Sequence, residues 1–187
     1  LSNKRKLKSR FYNDGIVKYP DESLFAVSEN IVNFDSVDIA NVMVKLSKTQ
    51  RKSGVVAVAA PQIGVFKKIF YYILPNVGEG FMINPEIVDF SKHNETMEEG
   101  CLSIPGWYWQ VSRPASVKVR WFDHHGSEFE GVLDGLMGRV VQHEIDHFNG
   151  ILLPDYFDDE TFERFSEDFF ENGKIGEDWS SNIIKVN

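Results

Sequence analysis

The chain has 187 residues, enough for one domain with a buried core, or a domain with an appendage. An apolar share of 42% and an aromatic share of 13%, with fifteen Phe, exclude an intrinsically disordered chain. The net charge of −8 argues against a general nucleic-acid binder, and the single cysteine excludes an internal disulfide and fits a reducing compartment.

Residues 1–10 are basic but no apolar run follows them, so they read as a solvated, frayed terminus rather than a secretory signal. No run of eighteen apolar residues occurs, and no membrane-spanning helix is expected. Tyr19-Pro20-Asp21 reads as a turn. From Ser36 to about Arg51 the apolar spacing is helical, with Ile39, Met43 and Leu46 on one stripe and Ala40 and Val44 beside it. Asp35 or Ser36 is placed to cap its start and Gly54 to stop it. Residues 54–64 begin as a β-run of small residues and end in the turn Pro61-Gln62-Ile63-Gly64. Such small side chains suit either a tightly packed inner strand or a peptide ligand lying alongside. Lys68 to Leu74 reads as a strand, residues 75–80 as a turn, and Phe81 to Asn84 as the resumed sheet.

The segment Glu98 to Gly106 holds the lone thiol, Cys101, which by residue type alone is a small buried side chain. His93 falls in a polar loop. Val117 to Phe122 and Glu128 to Leu133 alternate and flank Asp123-His124-His125-Gly126-Ser127, which makes them a hairpin. Adjacent side chains in a turn are expected to diverge into water, so His124 and His125 are not expected to hold a metal.

A helix starting near Asp134 or Gly135 carries Gln142-His143-Glu144-Ile145-Asp146-His147. With about 3.6 residues per turn, His143 and His147 share a face and can close on one ion, and Leu136 and Val140 precede them on that face. Glu144 is rotated by about 100° from His143, so it can border an open metal position without ligating. Gly138 costs this helix about 1 kcal/mol relative to Ala, which its tertiary setting must offset. Asn149-Gly150 is a stop signal. A second helix, about Thr161 to Phe170, would dock Phe162, Phe165 and Phe169 and turn its acidic side to solvent; the tail after Gly173 is unassigned.

Two imidazoles do not complete a hydrolytic metal site, which takes three protein ligands and one exchangeable position. A third His at the spacing of one metalloprotease class is absent, because that position holds Leu153. Glu167 stands about where another class places a glutamate ligand. Cys101 would give a thiolate and two imidazoles, a good set for zinc or ferrous iron.

Gly100-Cys101-Leu102-Ser103, Gln142 to His147 and Ala59-Ala60-Pro61-Gln62-Ile63-Gly64 resemble the three motifs of the peptide deformylases, in the same order and rough spacing. Tyr19-Pro20-Asp21 and Ile83-Asn84-Pro85-Glu86-Ile87 are similar to intervening segments, so the resemblance spans roughly residues 15–155. It implies a single catalytic domain over residues 1–187, of α+β class, with mostly antiparallel sheets around the metal-binding helix and a C-terminal helix and tail from residue 155. The pattern of strands followed by helices points to the same class.

The implied activity is metal-dependent removal of the formyl group from the N-terminal formyl-methionine of nascent proteins, releasing formate. Cys101, His143 and His147 would hold one divalent ion, natively Fe²⁺ with Zn²⁺, Ni²⁺ or Co²⁺ able to substitute. Glu144 would be the acid/base, with Gln62 and the Leu102 N–H donating to the reacting oxygen. Val56, Val58, Glu99 and Gly100 would flank the substrate, and Leu136 and Val140 would line a methionine pocket as well as serving as core. Arg113 and Arg139 would be structural, and Asp146 either an outer support of the site or a helix-surface residue. The partners would be formylated nascent chains near the ribosome, with no specific nucleic acid and no membrane, in a bacterial cytoplasm or an organelle. The sequence departs from the family in carrying Val55 and Ala57 at two glycine positions of the first motif. The rivals are another metallopeptidase, with Glu167 as third ligand, and an inactive metal-binding paralogue.

Overall fold

The computed structural model describes residues 15–171. After a single 3-10 turn at Glu22–Phe25 come α1 (Val37–Ser53), β1 (Ala57–Ala59), β2 (Ile69–Leu74), β3 (Gly78–Phe90), β4 (Asn94–Cys101), β5 (Ile104–Pro114), β6 (Ser116–Phe122), β7 (Glu128–Asp134), α2 (Gly135–Phe148) and α3 (Asp159–Ser166). A π-helical turn, Glu167–Glu171, continues α3. The class is α+β, as expected: a five-stranded sheet in the order β1-β2-β3-β6-β7 and a two-stranded β4-β5 sheet, antiparallel throughout.

Both faces of the larger sheet are covered, and β2 shows how. Ile69 and Tyr71 point into one core with Ile39 and Leu46 of α1, while Phe70 points into a second with Val140, Val141 and Phe148 of α2. This is the period-2 alternation of a strand buried on both sides. A third core joins β5 to the C-terminal helix through Ile104, Val111, Phe157, Phe165 and Phe169, and Cys101 lies in it.

Local signals set the helix ends. Ser36 Oγ accepts from Ile39 N at 3.2 Å, and Gly54 closes α1 in the left-handed conformation, φ 69°. The buried stripe of α1 is narrower than its apolar pattern: Ile39 and Leu46 are buried, but Ala40 and Val44 are exposed and Val42 packs inward instead. Gly138 has a tertiary reason. A Cβ there would stand 2.7 Å from Leu133 O, so α2 can follow β7 this closely only with glycine. Gly150, φ 69°, stops the chain beside Phe25, whose carbonyl oxygen would collide with a Cβ.

One strand expectation needs correction, and one hairpin was not expected. The strand expected over Phe81 to Asn84 extends from Gly78 to Phe90, straight through Pro85. Register shifts between Ile83 and Glu86 and between Ile87 and Asp89 absorb the proline, which cannot donate to the ladder. The β4-β5 hairpin was not legible, because the Glu98-Glu99-Gly100 run masks the alternation that would mark a strand.

Candidate metal centre

β4 delivers the thiol and α2 the two imidazoles. Cys101, His143 and His147 each offer one ligand atom, and the three atoms lie within 4.8 Å of one another. Cys101 Sγ is 3.4 Å from His147 Nε2. Tetrahedral coordination, with metal–sulfur near 2.3 Å and metal–nitrogen near 2.0–2.1 Å, separates sulfur and nitrogen donors by about 3.5 Å. The donor set therefore fits a divalent ion. Cys101 and His147 are buried and His143 nearly so. Burial pushes the Cys101 thiol up, but the charges and hydrogen bonds of His147 and His143 outweigh it and hold the thiol well below its usual range, favouring thiolate. Glu167, the rival ligand, is exposed and stands outside this group.

Behind His143 is a polar network. His143 Nδ1 meets Glu99 Oε2 at 2.9 Å, which leaves Nε2 as the nitrogen for a metal. Arg113 grips Glu99 with Nε to Oε1 at 2.7 Å and Nη2 to Oε2 at 3.0 Å, and Arg139 Nη1 adds a bond to Oε1 at 3.0 Å. Burial raises the Glu99 pKa, but hydrogen bonds and charge from His143 and Arg113 carry it down to about 2. Glu99 lines the cavity, as expected of a substrate contact, yet its carboxylate is fully engaged by cations. It meets His143 at the same time, and the arginines expected to be structural hold it there. Asp146 belongs to the same network: its Oδ2 accepts from Arg113 Nη1 and from the Tyr156 hydroxyl, both at 2.7 Å.

In front of the ligands lies a cavity of about 370 Å³, bordered by Gln62, Cys101, Leu102, His143 and Glu144 and walled by Val56, Ala57, Met97, Gly100, Leu136 and Val140. Glu144 is buried and its Oε2 has no hydrogen-bond partner. Burial raises its pKa against the opposing charges of His143 and His147. Gln62 is held by its own backbone: its Oε1 accepts from Ala59 N at 2.9 Å, which turns Nε2 toward Cys101 Sγ, at 3.6 Å, and Ser103 Oγ, at 3.4 Å. Leu102 is fixed through its carbonyl, which accepts from the buried Lys18 Nζ at 2.9 Å.

Other expected site residues are placed differently. The Val58 side chain is fully buried in the α1 core and does not reach the cavity, because it points to the opposite face of β1 from Ala57 and Ala59. Gly100 does border the cavity, but the close neighbour that demands a glycine is Tyr108, whose ring carbon would lie 2.6 Å from a Cβ. Of the two departures at glycine positions, Val55 packs in the α1 cluster, while Ala57 packs in the α2 cluster and also borders the cavity. Among the described residues, no strand pairs with the edge of β1 away from β2. His124 and His125 are exposed in their turn, but their rings do not diverge; the centroids are 3.9 Å apart, with His124 against Phe81. His93 is in a loop, as expected.

A thiol and two imidazoles facing one point, with a buried acid at the rim of a cavity, form the arrangement of a metal-dependent hydrolase. The family model described as polypeptide deformylase matches residues 14–163, and the chain belongs to that family. One relative is the peptide deformylase of Desulforudis audaxviator, 40% identical over 140 residues, covering 75% of this chain and 90% of that protein. The crystal structure of peptide deformylase from Ehrlichia chaffeensis superposes with a TM-score of 0.79 at 31% identity, covering 86% of this chain and 96% of that one. A Plasmodium falciparum peptide deformylase in complex with an inhibitor gives a TM-score of 0.72 at 35% identity, covering 80% and 92%.

Proposed function

We propose that this chain hydrolyses the formyl amide of N-formyl-methionyl nascent chains, with Cys101 Sγ and the Nε2 atoms of His143 and His147 holding the metal. The observation that carries this is the convergence of those three donors within 4.8 Å beside the unpaired carboxylate oxygen of Glu144. A divalent ion held by these residues would supply the Lewis acidity that makes water a nucleophile near neutral pH. Glu144 takes a proton as water attacks the formyl carbon, then returns it to the leaving amine as the C–N bond breaks, so the products are formate and a free N-terminus. Its raised pKa suits a group that must release the proton as well as accept it. Gln62 Nε2 and the Leu102 N–H donate to the oxygen on which charge develops. The methionine side chain enters the apolar part of the cavity, against Val56, Leu136 and Val140. The free edge of β1 and the neighbouring Gly100 leave room for the peptide backbone.

Ferrous iron is the native metal in this proposal, and Zn²⁺, Ni²⁺ and Co²⁺ suit the same ligands. The substrate places the chain where formylated proteins are made, beside ribosomes in a bacterial cytoplasm or an organelle. Among the described residues no helix is long and apolar enough to cross a membrane. The test is formate release from a formyl-methionyl peptide by anaerobic, iron-loaded protein. Formate in step with metal content is expected; no formate with one metal bound per chain would leave only the inactive paralogue.

A further inference from the structure

We propose that Tyr156 is a positioning residue for His143, acting on that ligand through Asp146, Arg113 and Glu99; this rests on the metal assignment made above. Tyr156 lies in the 3-10 turn Leu153–Tyr156, outside the cavity. Its hydroxyl donates to Asp146 Oδ2 at 2.7 Å and accepts from Arg113 Nη1 at 3.0 Å, while that same Nη1 donates to Asp146 Oδ2 at 2.7 Å. Three side chains from β5, α2 and the turn thus close a ring of polar contacts. The Arg113 carbon Cζ also sits 4.9 Å from the centre of the Tyr156 ring.

A guanidinium is planar and rigid, so fixing Nη1 on one side fixes Nε and Nη2 on the other. Those two atoms hold both oxygens of Glu99, whose Oε2 in turn meets His143 Nδ1. Arg113 and Glu99 are buried, so that inner part of the path has little competition from water, while Asp146 is partly buried and Tyr156 is exposed at its outer end. Asp146 has a second effect. By pairing with Arg113 it shares that positive charge, leaving Glu99 a stronger acceptor for His143. The Tyr156 hydroxyl holds Asp146 and Arg113 in register for both effects.

Tyr156→Phe keeps the ring and its packing and removes only the hydroxyl. Zinc affinity, measured by competition with a chromophoric chelator, is expected to fall by roughly 3–10-fold, less than the roughly 10–100-fold of a ligand's direct partner. The visible spectrum of the cobalt-substituted protein is expected to shift with it. Asp146→Asn should lose affinity too, and the double variant should be no weaker than the weaker single variant, because both act along one path. Unchanged zinc affinity and an unchanged cobalt spectrum in Tyr156→Phe, or fully additive losses in the double variant, would overturn the proposal. Circular dichroism checks folding; were Tyr156→Phe unfolded, Asp146→Asn alone carries the test, and no loss of affinity there overturns it. A wild type that binds no zinc, or a Cys101→Ser variant that binds it as tightly, removes the metal assignment and this role together. Cys101-dependent binding that Tyr156→Phe leaves untouched removes this role alone.

Discussion

Glu144 and Glu99 are neighbouring buried carboxylates with opposite environments. Glu144 is left with an unpartnered oxygen and a raised pKa, whereas Glu99 is surrounded by Arg113, Arg139 and His143 and lowered to about 2. The first environment suits proton transfer and the second suits holding a ligand in place. Replacing Glu144 with Gln should lower formate release by about 10²–10⁴-fold while metal content stays at one per chain, measured by elemental analysis. Replacing Glu99 with Gln should instead weaken zinc binding by about 10–100-fold, read by chelator competition. Glu99 also ties stability to pH. Its folded-state pKa lies below its ordinary 4.5, so its contribution is present above about pH 4.5 and is lost as pH falls toward 2. Urea titrations of metal-free protein across that window should show wild type losing stability more steeply than Glu99→Gln. Equal slopes would mean that the ion pairs do not favour the folded state. Sequence spacing made His143, His147 and Glu144 legible, because one helical turn relates them. It could not make the Glu99 contact to His143 legible, since the side chains that engage Glu99 come from β5 and α2 and leave no local trace beside it. Cys101 was a ligand only by resemblance to a family, for its partners lie on an element far along the chain.

The element that carries His143 and His147, α2, is shaped by where it must pass. Gly138 reads in sequence as a helix defect, yet a Cβ there would meet Leu133 O at 2.7 Å. Gly138→Ala would gain about 1 kcal/mol of helix propensity but must push α2 away from β7, at a cost of about 1–3 kcal/mol. A net loss in denaturant titration, with metal affinity reduced as His143 and His147 shift, is expected; a more stable variant would contradict the packing described here. The ends of α1 and α2 and the β6-β7 hairpin were legible because caps and turn residues act locally, whereas α3 begins at Asp159, two residues before its expected start. The course of β3 through Pro85 and the β4-β5 hairpin were not, since both depend on pairing partners rather than on their own pattern.

Across the whole molecule, the proposed metal ligands come from β4, a strand of the smaller sheet, and from α2, a helix packed in a different core. A bound ion would therefore add a link between two layers already joined by the Glu99 contacts to Arg139 and His143. Stripping the metal from a protein saturated at about 1,000 times the dissociation constant should remove about 4 kcal/mol, or about 10 °C in melting temperature for a chain of this size. Calorimetry should show that loss in wild type and none in Cys101→Ser. The most direct test of the account is X-ray absorption on the zinc-loaded protein. It predicts one sulfur at about 2.3 Å with nitrogen or oxygen scatterers near 2.0–2.1 Å, the sulfur shell vanishing in Cys101→Ser. A first shell of nitrogen and oxygen only in the wild type would contradict it.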